Sequence, residues 1–152
     1  MDNPVDLGIL LGLAFQTFSD ELRAEIAAEG FDDLGSAYGY VFRALARESL
    51  QLTELADRLG MTAQGASKLV SEMEAREYVE RRPDPEDGRA KRLRLAPRGR
   101  AALAFARRFH AAYERRLRAE LGERHVTTLR RVLDHMVASG GKDPATALLR
   151  AF

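Results

Sequence analysis

Leu7, Leu11, Phe15, Phe18, Leu22 and Ile26 recur at steps of three and four, which predicts one long amphipathic helix closed by Gly30. A second helical pattern near residues 35–48 carries Tyr38, Val41, Phe42 and Leu45. Two short patterns follow, LTELADRLG and AQGASKLVSEMEARE, separated only by Met61 and Thr62. The Thr62 hydroxyl is placed to accept an orphan N–H in the first turn of the second of these helices. The period then falls to two. Residues 78–82 and 89–95 alternate apolar and charged positions, predicting two strands joined by the turn-rich segment PDPEDG. Pro83 and Pro85 stiffen that turn, and Asp87-Gly88 allows a positive φ. Pro97 opens a helix running to about Leu121, with Ala102, Phe105, Phe109, Tyr113 and Leu117 on one face. Gly122 breaks it, and residues 125–137 predict a last helix. The GGKDP stretch predicts a flexible turn before a short apolar tail, ATALLRAF.

Composition narrows the class of protein. With 152 residues, 45% hydrophobic and 31% charged, the chain suits a single globular, soluble domain with a sizeable core. No apolar run approaches the ~18 residues needed to span a bilayer. The first residues have acidic flanks and no basic segment before their apolar run, so the expected location is cytoplasmic and no membrane partner is expected. The chain lacks cysteine, which excludes disulfides, thiolate catalysis, thiol switches and cysteine-ligated metals. Of its three histidines, His125 and His135 lie ten residues apart on one predicted helix, which is not chelate spacing. No serine sits in a nucleophile elbow and no glycine-rich loop follows a strand. The expectation is therefore no enzyme, no metal and no cofactor.

Charge is informative through its distribution. Net charge is only +1, yet in residues 1–33 eight acids face Arg23 alone, a net of −7 that leaves +8 on the other 119 residues. An acidic end turned away from a polyanion, with a basic remainder facing it, would account for this asymmetry; so would a solvated acidic helix.

The two short helices have helix-turn-helix spacing, with small Ala56 at the crossing and Gly60 in the turn. Leu55, Leu59, Leu69, Val70 and Met73 fall where a shared core is needed, with Ala66 at a position that is often a branched aliphatic. An ordinary helical hairpin would show the same spacing. A charged hairpin directly after the second helix points instead to a winged helix. Val79 and Arg81 lie on one face of the first strand, and Leu93 and Leu95 on a core-directed face of the second. Between Arg76 and Arg100 nine basic residues outnumber five acids, a net of +4 suited to neutralising phosphates. An arginine at a narrow protruding tip also suits a minor groove.

The stretch LTELADRLGMTAQGASKLVSEMEAREYVERRPDPEDGRAKRLRLAPRGR resembles the DNA-binding core of the MarR family of bacterial transcriptional regulators. Its most specific piece is the wing pattern D-x-R-x-x-x-L-x-L, met by Asp87, Arg89, Leu93 and Leu95. The resemblance implies a mainly α fold: a winged helix-turn-helix with a small two-stranded β-wing and N- and C-terminal dimerisation helices. In this single domain, residues 1–33 and 97–152 would dimerise and residues 34–96 would form the DNA-binding lobe. It implies major-groove contact from the recognition helix through Thr62, Gln64, Ser67 and Lys68, and wing contact through Arg81, Asp87, Arg89 and Lys91. In the family the wing aspartate steadies the arginine, which enters the minor groove. The partner would be double-stranded DNA with an inverted-repeat operator, bound by a homodimer acting as a ligand-responsive repressor. A small aromatic or anionic effector would be lined by Phe15, Phe18, Tyr38, Phe42, Phe105 and Phe109, with Arg43 or His110 as polar partner. The same aromatics would equally serve as plain core. A winged helix used for protein–protein assembly without DNA is the alternative reading.

Two departures from the family pattern fall at helix ends. Ala96 stands where a capping threonine is usual, and Glu77 replaces a glycine before the tyrosine, where a left-handed residue would be costly.

Overall fold

The computed structural model describes residues 5–142; most of the apolar tail predicted from GGKDP onward, ATALLRAF included, lies outside the described residues. The chain divides into two compact units, residues 1–34 and 35–152. In the first, the predicted helix runs as α1 (Leu7–Ala28). Gly30 ends it at φ 103°, and the Phe31 N–H reaches back to the Ile26 carbonyl at 3.1 Å. A left-handed glycine wraps the chain over the last carbonyls in this way. Along α1 only Ile26 is buried, whereas Leu7, Ile9, Leu10, Leu13 and Phe15 are exposed.

The second unit contains α2 (Tyr38–Leu45), α3 (Leu52–Leu59), α4 (Ala63–Ala75), β1 (Val79–Pro83), β2 (Lys91–Leu95), α5 (Pro97–Leu121) and α6 (Glu123–Ser139). It is mainly α, with one two-stranded antiparallel sheet. Its core gathers Tyr38, Val41, Leu50, Leu55, Leu59, Ala66, Val70, Met73, Tyr78 and Leu93, all nearly inaccessible to solvent. Ala66 is fully buried, so the position usually filled by a branched aliphatic is here a close contact. Leu69, expected in that core, is only half-buried.

Local chemistry explains the helix boundaries. A capping box starts α3, in which the Gln51 N–H donates to Glu54 Oε2 at 2.7 Å. Gly60 ends α3 at φ 65°, and the Met61 N–H returns to the Ala56 carbonyl at 2.9 Å. Thr62 caps α4 as expected, its hydroxyl accepting the Gly65 N–H at 3.0 Å. At the far end of α4, Glu77 does take the left-handed conformation, at φ 64°. The Tyr78 and Glu77 N–H groups bond the Met73 and Glu74 carbonyls, both at 2.9 Å, and Tyr78 is buried with Met73. These two bonds and the buried pair hold a backbone geometry that the side chain disfavours.

The strands begin slightly later than the alternation predicted. Register pairs Val79 with Leu95, Arg81 with Leu93 and Pro83 with Lys91, so Val79, Leu93 and Leu95 share the buried face. Residues 89 and 90 belong to the turn because the Ala90 N–H bonds the Asp87 carbonyl. Gly88 lies outside the left-handed region, so the positive φ that Asp87-Gly88 allows is not used. Carboxylates close the turn instead: Asp84 Oδ1 accepts the Glu86 N–H at 2.9 Å, and Asp87 Oδ1 the Arg89 N–H at 3.0 Å. Leu50 adds a one-residue bridge to Leu93, its N–H and carbonyl bonding across at 3.1 and 2.7 Å.

Ala96 provides no side-chain cap to α5, as its sequence implied. The Ala96 N–H bonds the Tyr78 carbonyl instead, at 3.0 Å, and a Cβ placed on Gly99 would lie 2.1 Å from that same oxygen. The wing base and α5 therefore meet at a contact that only glycine permits. Gly122 (φ 92°) separates α5 from α6, and Arg130 ties the two together through Glu114 at 2.6 Å.

Candidate nucleic-acid interface

Helix α4 divides its residues by face. Ala66, Val70 and Met73 are buried, while Gln64 and Lys68, one turn apart, are exposed. Ser67 is half-buried beside them, and Thr62 is exposed with its hydroxyl committed to the cap. Gln64 and Lys68 begin from a capped helix end, so their backbone is fixed while their side chains have no partner among the described residues.

The nine basic residues from Arg76 to Arg100 sort sharply. Arg76 pairs with Glu72 at 3.0 Å, Arg81 with Glu74 at 2.9 Å, and Arg82 and Arg94 both with Glu80. Arg92 bonds Ser49 and Asp84, Arg98 the Arg76 carbonyl, and Arg100 the Leu95 carbonyl. That leaves Arg89 and Lys91, both exposed, without a side-chain partner among the described residues. Arg81, one of the expected phosphate contacts, thus carries its own counter-ion. Asp87 steadies Arg89 through the backbone N–H, so the guanidinium itself is not pre-oriented.

Titration follows these pairings. The Arg94 bond, with Arg82 beside it, holds the Glu80 carboxyl below the usual carboxylate range. The Glu86 N–H, followed by Arg92, does the same for Asp84, the one buried charged residue among those described.

The aromatics expected to line an effector site separate. Tyr38 and Phe42 are buried and pack with Tyr78, ring centroids 5.6 and 5.7 Å from it, and so serve the core. The Tyr38 hydroxyl donates to Glu72 at 2.8 Å and accepts from Arg76 at 2.9 Å. Phe105 and Phe109 are half-buried on α5, and Arg43 is exposed on α2. His110 is held below the ordinary histidine range, first by partial burial and then by the Arg43 charge. In the other unit Phe18 is half-buried and Phe15 exposed. No group of three or more potential metal-ligating side chains comes together among the described residues.

Sequence reasoning missed the Arg92–Ser49–Asp84 and Tyr38–Glu72–Arg76 networks. Asp84 could have been suspected from its place between two prolines and two residues before Glu86, where an Asx turn forms. The partners of Arg92 and Tyr38 lie 43 and 34 residues away, and spacing carries no sign of them.

Helix, tight turn, capped second helix and hairpin define a winged helix-turn-helix. Residues 32–90 match the family model described as the MarR family. The transcriptional activator of exopolysaccharide II synthesis ExpG, from Rhizobium meliloti strain 1021, is 31% identical over 112 residues, 74% of this chain and 58% of the relative. The chain thus spans somewhat over half the length of that curated relative. Among solved structures, the transcriptional repressor CouR bound to a 23-mer DNA duplex aligns at 27% identity and a TM-score of 0.67, covering 90% of this chain and 93% of CouR. RV1404 from Mycobacterium tuberculosis aligns at 18% identity and a TM-score of 0.77, covering 93% and 99%, and so shares the fold. The likeness to the MarR family thus rests on residues 32–90, and the fold is the winged helix-turn-helix of these solved structures.

Proposed function

We propose that the protein is a transcription regulator that binds double-stranded DNA in a sequence-dependent way as a homodimer on an inverted-repeat operator. The observation that carries the reading is the sorting of charge. Seven of the nine cations from Arg76 to Arg100 are internally partnered, while Arg89 at the tip and Lys91 on β2 stay exposed with no side-chain partner among the described residues. Cations held without counter-ions in a folded protein suit an external polyanion. Gln64 and Lys68 add exposed groups with the chemistry of base-edge contacts at the start of a helix. The DNA duplex in the CouR structure supports the same partner for this chain.

A homodimer is favoured by uncovered apolar surface. Leu7, Ile9, Leu10, Leu13 and Phe15 on α1 are exposed, and so are Leu129, Val132, Leu133 and Met136 on α6. Two-fold symmetry would set two recognition helices about one DNA turn apart. Bound over a promoter, the dimer would repress by occlusion; bound upstream it could recruit, as befits a relative named an activator. For a small aromatic or anionic effector, the side chains left outside the core of the second unit are Phe105 and Phe109, with Arg43 for an anion. No helix among the described residues is long and apolar enough to cross a membrane, in keeping with action on DNA in the cytoplasm.

The test is selection of bound duplexes from a random DNA pool by the full chain. Enrichment of a two-fold symmetric motif is expected; no enrichment over many rounds would favour a protein–protein assembly module.

A further inference from the structure

Arg92 sits on β2 and engages three separate pieces of chain. Its Nη2 donates to the Ser49 carbonyl at 2.5 Å and its Nε to the Ser49 hydroxyl at 3.0 Å. Its Nη1 donates to Asp84 Oδ2 at 3.4 Å, and Glu54 in the first turn of α3 stands 3.9 Å from Nη2. Ser49 belongs to the lead-in to the helix-turn-helix, and Asp84 opens the wing turn. The remaining turn residues, Pro85 to Arg89, are exposed, and their hydrogen bonds stay within the turn. Polar ties from the turn to the helix-turn-helix thus run from Asp84 through the Arg92 guanidinium to Ser49, and from Asp84 directly to the Gln51 side chain at the start of α3.

We propose that Arg92, joined to Asp84 and Ser49, is a positioning residue that sets the wing turn relative to the recognition helix, so that both meet one duplex together. This rests on the DNA-binding reading. A planar guanidinium with several donors in fixed directions specifies an angle, whereas the apolar contacts of Leu93 and Leu95 specify only burial. The Leu50–Leu93 bridge anchors the base of the hairpin, and the Arg92 clasp extends that anchoring toward the tip. Asp84 is 7% exposed and already accepts the Glu86 N–H, so its carboxylate has little freedom to release Arg92. A wing fixed in advance avoids the ordering cost of fitting its arginine to a groove after encounter.

The experiment is a double-mutant cycle between Arg92→Leu and Arg89→Ala, with binding read by fluorescence anisotropy. The probes are a duplex selected from a random pool by the parent protein and an unselected random-sequence duplex. Arg92→Leu should lose about tenfold on the selected duplex, in the range of a lost specific contact, and much less on the random one. In the Arg89→Ala background it should add little, because the group it positions is gone. Arg92→Lys, which keeps the charge and a bond to Ser49, should recover part of the loss. Asp84→Asn, which keeps the acceptor for the Glu86 N–H, should show a weaker form of the Arg92→Leu defect. These two milder variants carry the test if Arg92→Leu fails to fold. Equal losses in both backgrounds, or on both duplexes, would overturn the clasp and make Arg92 an ordinary phosphate contact or a stability residue. A parent protein that retains neither duplex would sink the DNA reading itself, and the clasp with it.

Discussion

Glu77 holds φ at 64°, a region where a β-carbon crowds the following carbonyl oxygen. It stays there because two hydrogen bonds and the buried Tyr78 close the end of α4 around it. Glu77→Gly should therefore raise stability, by ~0.5–1 kcal/mol once the greater freedom of glycine in the unfolded chain is counted. Gly99→Ala should do the reverse. Its Cβ would meet the Tyr78 carbonyl at 2.1 Å, so α5 must shift, at a cost of ~3 kcal/mol or more. Urea denaturation of both variants checks the pair of opposite signs. The sequence flags Glu77, because a glycine is usual there, but nothing in it flags Gly99, whose role depends on an oxygen 21 residues away.

Tyr38 adds a pH dependence at the same scale. Burial first, and then the Glu72 carboxylate it bonds, push its phenol up to about 12. In the unfolded chain the ordinary value is about 10. The neutral hydroxyl thus favours the fold fully below about pH 10, and that contribution is lost as pH rises toward about 12. Tyr38→Phe should cost ~1 kcal/mol at neutral pH, and its loss of stability between pH 10 and 12 should be shallower than the parent's. Denaturant midpoints across that range measure both effects.

At the scale of elements, periodicity located every helix and strand of the second unit to within a few residues. The steps of three, four and two are imposed by burial, and burial is what the packed structure retains. The turn was less legible. Asp87-Gly88 allows a positive φ without requiring it, and carboxylates bonding the Glu86 and Arg89 N–H groups close the turn with Gly88 in an ordinary conformation. Charge was legible only as a total: the net of +4 does not reveal that Arg81 faces Glu74 while Lys91 has no side-chain partner among the described residues. On α4, Gln64→Ala and Lys68→Ala should each cost ~1–3 kcal/mol on a selected duplex and relax the preference at particular base pairs. Binding to duplexes substituted one position at a time reads this out. Equal losses at all positions and on random DNA would assign both side chains to the phosphate backbone.

For the whole molecule, acidic charge gathers in residues 1–33 and basic charge in the remainder, and apolar side chains stay uncovered on α1 and α6. Helix periodicity cannot separate a stripe that meets its own core from one that meets a second copy. The α6 stripe is exposed in a single chain, and a dimer would cover it. Sedimentation should give twice the 16.9 kDa of one chain, and Leu129→Glu with Val132→Glu should return the mass to one chain without loss of helix content.

Arg89 and Lys91, hairpin cations with no side-chain partner among the described residues, are the groups proposed to meet DNA phosphates and grooves. The most direct measurement of this is the affinity of parent and Arg89→Ala proteins for a selected duplex across a range of salt concentrations. Each neutralised phosphate releases condensed counterions, so the logarithm of the parent's binding constant should fall nearly linearly with the logarithm of salt. Arg89→Ala should bind more weakly and with a shallower slope, while melting at the parent's temperature, because its side chain is exposed and has no polar partner among the described residues. A salt-independent affinity, or an Arg89→Ala protein that binds with the parent's strength and slope, would mean that the hairpin tip does not meet DNA.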